Sequence, residues 1–491
     1  MKAHDGGPLK TFLWQLVKAL LAALVVIAYS RGMGAHGRGT LSILLLYLQL
    51  ALMVSELFAG GALANLLSKY PAKRILPTAW FFLLFVLLLG YAVGWYAYVL
   101  PNQGALPLNF DHPHIIKLNL LFFQGLFLGS LGIQYNVYQV KGWVQQRNQL
   151  QVMLEALKLI GIALCFEAMY GILIPKMAAI ELSVQAAQII PANQTIHYVN
   201  GFDETAVLWI LVYASGLVCF VSLWYLWNQQ RQKIKRDRLG VGLNNNHAAI
   251  SLQPPTEMFH SGFMSQIGHI LLFLLYRLPL WWMAAEFGHA QAGVLANALL
   301  MADTIWIFGN SYGTILHSRM LREEVHSPKF SGLLANYVVI SGLGTFVAIA
   351  IAWLLPVDLY TWVFGQTFST LKETFCLISP AVLFLGLSAP IGHYLHAQNR
   401  FKALILSYGL SLLVLVVGWN GTSIALMSGK VSTGLMANVI HYLQAYMGKL
   451  MSVNVSFFVL LLSNYLQVRK DIKWQRMSFR MSDFNQDGLT N

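Results

Sequence analysis

The chain has 491 residues, of which 57% are apolar and 10% charged. Soluble domains carry about 25% charged residues, so a charged coat around a globular core is excluded. The net charge of +13 would suit a nucleic-acid binder, but its placement along the chain argues for membrane topology instead.

Apolar stretches begin near Thr11, Leu41, Leu76, Ile115, Leu150, Ala206, Phe263, Leu295, Leu333, Thr374, Ala403 and Leu450. Most run close to the roughly 20 residues a helix needs to cross a bilayer core of about 30 Å. Hydrocarbon cannot hydrogen-bond a bare peptide group, so each crossing is predicted to be a helix. The expected fold class is therefore an all-α membrane protein with about 12 transmembrane helices. The first stretch is too long and too polar-flanked for a cleaved signal and is expected to be retained.

Polar intervals divide the chain. Residues 1–10 are expected as a cytoplasmic N-terminus and 11–230 as an N-terminal lobe of helices 1–6. Residues 231–262 are expected as a cytoplasmic linker, because the basic run Arg231–Arg238 and the Asn-rich stretch after it bury little. Residues 263–468 are expected as a C-terminal lobe of helices 7–12, and 469–491 as a basic cytoplasmic tail. Within the long interval Pro175 to Thr205, Ala178 to Ile190 is weakly amphipathic and reads as an interfacial helix. Between Lys430 and Lys449 the pattern fits either an interfacial segment or the start of helix 12. With the N-terminus inside, 22 of the 32 Lys and Arg fall in cytoplasmic segments. That bias places both termini in the cytoplasm of a cell-membrane protein.

The two halves echo each other. Gly34, Gly39 and Leu41 recur as Gly288, Gly293 and Leu295, at an offset of 254 residues. At the same offset Gln49 and Glu56 become Asp303 and Asn310, a polar pair seven apart and hence on one helix face. A parallel repeat about an axis along the membrane normal is common among alternating-access transporters.

Charge inside a span is costly, by roughly 2.5–3.5 kcal/mol on insertion scales, and marks function by default. Arg277 lies near the middle of helix 7. It has three readings: a bidentate grip on phosphate, an ion pair with Asp303 on the next helix, and snorkelling to the interface. The first two can alternate in one cycle. Glu56 and Glu167 are carboxylates suited to a coupling proton or cation, or to a protonated interhelical hydrogen bond. Glu155 and Lys158, three apart, suit a local pair, and Lys158 facing a cavity is the other reading. Pro279 removes a backbone donor and crowds the carbonyl of Leu275, which suits either a hinge or a static kink. His269, His393, His396 and His441 show no metal spacing. The three cysteines (Cys165, Cys219, Cys376) fall in apolar stretches without a CxxC partner. No Walker loop, GxSxG, HExxH or Rossmann fingerprint occurs. No cofactor, metal or nucleic-acid partner is expected, and the chain is expected not to be an enzyme.

From Ser30 to Ser42 the chain resembles the Wzx-type polysaccharide-biosynthesis flippases, relatives of the multidrug and toxin extruders. There the first helix commonly ends in arginine followed by a Leu-Gly-Pro-Glu-Gly-x-Gly-like turn. Met33 stands at the leucine here, and Ala35-His36 at Pro-Glu. Tyr276-Arg277-Leu278 is similar to the family's Tyr-Arg-Leu/Ile-Asp run, with Pro279 at the aspartate. Gly288 to Leu295, Asn310 to Arg319, Phe364-Gly365 and Leu395 to Arg400 also fit family habits. The resemblance implies two six-helix lobes around a central cavity. It also implies outward flipping of an oligosaccharide on a polyprenyl diphosphate carrier, with Arg277 and Arg31 at the positions that face the diphosphate. Glu56, Asp303 and Asn310 would then trade partners or bind a coupling proton or sodium ion. Two other readings stay open: an ion-coupled small-molecule exporter of the extruder branch, and a membrane glycan polymerase or ligase.

Overall fold

The computed structural model describes residues 8–59, 63, 67, 72–96, 113–141, 143, 145–165, 204–238, 256–322, 329–398, 400–428 and 444–469. Every regular element among them is helical, as the hydrocarbon argument requires. In chain order they are α1 (Pro8–Ala59), α2 (Ala72–Gly94), α3 (Pro113–Val140), α4 (Gln145–Cys165), α5 (Glu204–Arg238), α6 (Thr256–Phe287) and α7 (His289–Arg322). Then follow α8 (Lys329–Leu354), the short α9 (Val357–Phe364), α10 (Leu371–Ala397), α11 (Phe401–Ser428) and α12 (Gln444–Arg469).

Eleven of the described helices are long and apolar enough to cross a membrane. The first span, Leu13–Glu56, is broken at Gly34. Each arm of α1 is about 25 residues, or about 37 Å, so it supplies two of the twelve expected crossings. Gly34 has φ +67° and ψ −176°, a region essentially closed to residues with a Cβ. Gly34→Ala is expected to lower stability by about 2 kcal/mol, read as a fall in melting temperature of the detergent-purified protein. The nearest neighbour of a Cβ there would be the Thr367 side chain, at ordinary contact distance (3.4 Å). The penalty is therefore conformational.

The chain divides into two compact units. One comprises Met1–Gln266, Phe287–Gly293 and Val363–Thr367; the other comprises Ile267–Glu286, Val294–Trp362 and Phe368–Asn491. In the first, α3 packs along α5, α1 along α2, and α2 along α3. Its core joins Val25, Tyr29 and Leu41 of α1 to Leu120, Ile162 and Leu208. In the second, α8 lies along α10, and α10 contacts α11. Large apolar side chains such as Phe81 and Leu88 in the first unit, and Leu343 and Trp362 in the second, are exposed. That outward apolar surface is what hydrocarbon solvates.

Two expected boundaries are redrawn, and the last helix receives its described bounds. The interval 231–262 is not wholly a linker, because α5 runs on to Arg238 and α6 begins at Thr256. Lys, Arg and Gln lose little side-chain freedom in a helix, so a polar sequence can prolong one. Residues 287–293 and 363–367, expected in the C-terminal lobe, group with the first unit, where the contacts described below join them to the turn after Gly34. The described part of the last span is Gln444–Arg469, so Lys449 is helical. Glu167, the run Ala178 to Ile190, His441, residues 1–7 and the tail from 470 onward lie outside the described residues.

Candidate functional site

Arg277 and Asp303 lie near the middles of the spans Phe263–Phe287 and His289–Gly313. The helices α6 and α7 are consecutive, with only Gly288 between them, so the two charges meet across an antiparallel pair. Arg277 Nη2 donates to Asp303 Oδ2 at 3.0 Å. The guanidinium carbon sits 4.9 Å from the centroid of the Tyr276 ring, and the Tyr276 hydroxyl donates to the Leu299 carbonyl at 2.9 Å. Tyr276 thereby ties α6 to α7 one residue from the ion pair. The pair is not sealed, since the side chains keep 22% and 33% of their exposure. An ion pair sealed in packing could not exchange partners without a large desolvation penalty; this one is only partly covered by the protein.

Two residues beyond Arg277, Pro279 is buried. It borders a small apolar cavity of about 20 Å³, lined also by Tyr276, Leu299, Ile378, Leu385 and Phe457. The space is about that of one water, and its apolar walls offer water no partners. Slack beside a missing helix hydrogen bond is where a bend costs least packing.

Asn310 shares the face of α7 that carries Asp303. Its Oδ1 is 3.0 Å from His393 Nε2 of α10. A Cβ on Gly313 would overlap the His393 ring, so this glycine, one turn from Asn310, makes room for the imidazole. In the first unit, Gln266 hydrogen-bonds the Glu56 carboxyl and donates to the Met53 carbonyl at 3.4 Å. Lys158 and Glu155 form the expected i,i+3 pair at 2.8 Å. Arg31 lies exposed, three residues before the Gly34 break.

Several polar groups escaped sequence reasoning. Arg38 is buried, 5.0 Å from the Tyr29 ring centroid, and donates from Nη1 to Ser42 Oγ at 2.6 Å. Lys117 of α3 pairs with Glu204, in the first turn of α5, at 2.9 Å. In the second unit Lys449 is 2% exposed and pairs with Glu286, which also accepts from Trp419 Nε1 at 2.8 Å. The Lys449 ammonium lies 5.1 Å from the Trp419 ring centroid. These partners come from three separate helices, so no spacing rule reveals them. The lone carboxylate after Trp281-Trp282 was the available signal.

The glycine repeat acquires a geometry. Gly34 and Gly288 both have positive φ, +67° and +85°. A Cβ on Gly39 would overlap the carbonyl of His289, and a Cβ on Gly293 would overlap the carbonyl of Ala35. The contact is reciprocal at the 254-residue offset, with each glycine against the residue equivalent to the other's partner. Ala35 N donates to Thr367 Oγ1 at 3.1 Å, which hooks the stretch after α9 onto the same turn. All of these residues belong to the first unit. Among the described residues no group of three or more His, Cys, Asp or Glu is arranged to hold a metal ion.

The described helices define a class by architecture, a multi-pass helical membrane protein. No family model matches the chain, and no curated protein matches it. Solved structures do. The chain is similar to a MATE transporter in complex with MaL6, at a TM-score of 0.57 and 10% identity, covering 97% of this chain and 100% of that one. It is similar to the eukaryotic MATE transporter AtDTX14, with a TM-score of 0.57 and 13% identity over 96% and 98% of the two chains. The lipid II flippase MurJ in an inward closed conformation aligns at 0.56 and 11% identity, over 96% of this chain and 90% of that one. At such identities the likeness establishes the fold alone.

Proposed function

We propose that the protein flips a polyprenyl-diphosphate-linked oligosaccharide from the cytoplasmic to the outer leaflet by alternating access, for polysaccharide biosynthesis in the cell membrane. The observation that carries this reading is the mid-span, part-exposed Arg277–Asp303 pair in a fold also found in a lipid flippase. A diphosphate entering the span needs a cation that stays charged at any working pH and can chelate two oxygens at once; arginine does both. In this reading Arg277 leaves Asp303 for the diphosphate, and Asp303 takes up a proton or sodium ion. Arg31 meets the headgroup near the membrane surface. Glu56, held by Gln266, and Asn310, held by His393, are further coupling candidates. Lys158, already paired with Glu155, serves as a structural charge, and Pro279 with its adjoining cavity is the hinge that swings Arg277. Glu167 keeps its candidacy on sequence alone.

Removal of the protein from its cell is expected to leave complete carrier-linked oligosaccharide in the inner leaflet, where lipid extraction and leaflet-selective labelling detect it. Unchanged outer-leaflet glycan would sink this reading. A second reading is an ion-coupled exporter of small molecules, supported by equally similar MATE neighbours and by the intramembrane carboxylates Glu56 and Asp303. Ion-driven efflux of cationic dyes from reconstituted vesicles, with glycan transport unaffected, would decide for it.

A further inference from the structure

His36 stands where the resembling flippase turn has glutamate, and His289 is the first residue of α7. No rule of sequence spacing joins them. In the first unit their rings lie 5.5 Å apart, centroid to centroid, with planes at 71°. Both side chains are exposed. The backbones beneath them are held fast. The His289 carbonyl is pressed on Gly39, the Ala35 carbonyl on Gly293, and Ala35 N is tied to Thr367. Two imidazoles on so rigid a base need only turn about their own side-chain torsions to meet.

Coordination geometry sets the spacing two rings need. A ring nitrogen binds Zn²⁺ at about 2.0–2.1 Å and tetrahedral sites dominate. Adding the distance from nitrogen to ring centre puts two coordinated imidazoles about 5 Å apart between centroids. The observed 5.5 Å is within a few tenths of an ångström of that. Imidazole suits zinc, copper and nickel, and not magnesium or calcium.

We propose that His36 and His289 form a two-histidine site for a divalent transition-metal ion, which clamps the turn after Gly34 to the turn after Gly288. Two protein nitrogens leave the other positions to water. The site is therefore weak and exchangeable, a regulatory site rather than a structural one. The two turns are the equivalent turns of the two sequence repeats. If they part during a transport cycle, the metal arrests the cycle; that consequence rests on the proposed function, whereas metal binding does not.

The test uses the full chain purified in detergent, with Zn²⁺ and with Mg²⁺. Saturating Zn²⁺ is expected to raise the melting temperature by on the order of 2 °C, and Mg²⁺ to leave it unchanged. His36→Gln and His289→Gln are each expected to abolish the Zn²⁺ response while melting normally without metal. As a readout independent of melting, Cu²⁺ bound to the parent protein should show coupling to two nitrogens in its paramagnetic resonance spectrum, lost in either variant. A Zn²⁺ shift and Cu²⁺ spectrum equal in all three proteins would assign the metal to other histidines and overturn the site. Metal binding without inhibition of transport would keep the site and count against the parting of the turns.

Discussion

If the proposed function holds, Arg277→Ala is expected to reduce transport of the carrier-linked glycan by about 10- to 100-fold at unchanged abundance in the membrane. The magnitude follows from losing hydrogen bonds to a charged group, about 1.5–3 kcal/mol. The variant also leaves Asp303 without the guanidinium that now stands 3.0 Å away. A carboxylate in the span can take up a proton, so the fold is expected to survive. Asp303→Ala is the harsher change for folding, because a guanidinium cannot discharge. Its cation would still lie 4.9 Å from the Tyr276 ring centroid. Arg277→Lys keeps the charge and loses the fork, so an intermediate rate is expected. The double variant Arg277→Ala/Asp303→Ala separates the roles. If the pair only holds α6 to α7, the double variant folds and transports normally. If Arg277 meets the substrate, it folds and does not transport. Full flipping by Arg277→Ala alone would remove this residue from the substrate path.

Gly39→Ala and Gly293→Ala are expected to lower stability by similar amounts, about 3 kcal/mol each. The similarity is the sharper part of the prediction. Each new methyl would overlap a backbone carbonyl, of His289 in one case and Ala35 in the other. A side chain can change rotamer, but a carbonyl in a helix end cannot turn away without moving the helix. The two turns must therefore separate, and the loss should match because the contact is reciprocal. Gly409→Ala provides the control, since nothing lies within 4 Å of a Cβ there; a helical Gly→Ala change in open space is expected to be neutral or to stabilise by about 0.5–1 kcal/mol. Melting in detergent reads all three. Wild-type melting of Gly39→Ala, or a large difference between Gly39→Ala and Gly293→Ala, would mean that the turns are not clasped as described.

Parts of this site were legible in the chain. Arg277 and Asp303 were readable as partners because opposite charges near the middles of consecutive spans have few other ways to be neutralised. Glu155 and Lys158 were readable because a helix brings i and i+3 together. Gly34 and Gly288 stood out by spacing, but nothing local predicted that both would take positive φ, or that their companions would press on each other's carbonyls. Glu286, Lys449 and Trp419 were invisible as a set, as were His36 and His289. The contacts of Glu286 with Lys449 and with Trp419, and of His36 with His289, join residues more than a hundred positions apart, and pattern rules reach only a few turns.

The amino-acid order alone determined that the chain is a multi-pass helical membrane protein. A peptide group in hydrocarbon must find its partner within its own segment, and that requirement is written in the length and apolarity of each stretch. The order also marked which charges would be expensive to leave unpaired. Only the tertiary structure decided which distant groups satisfy them, that the Arg277–Asp303 pair is only partly covered by the protein, and that two glycine turns meet backbone to backbone. Those outcomes depend on helix packing, a sum of many weak contacts that no single residue carries.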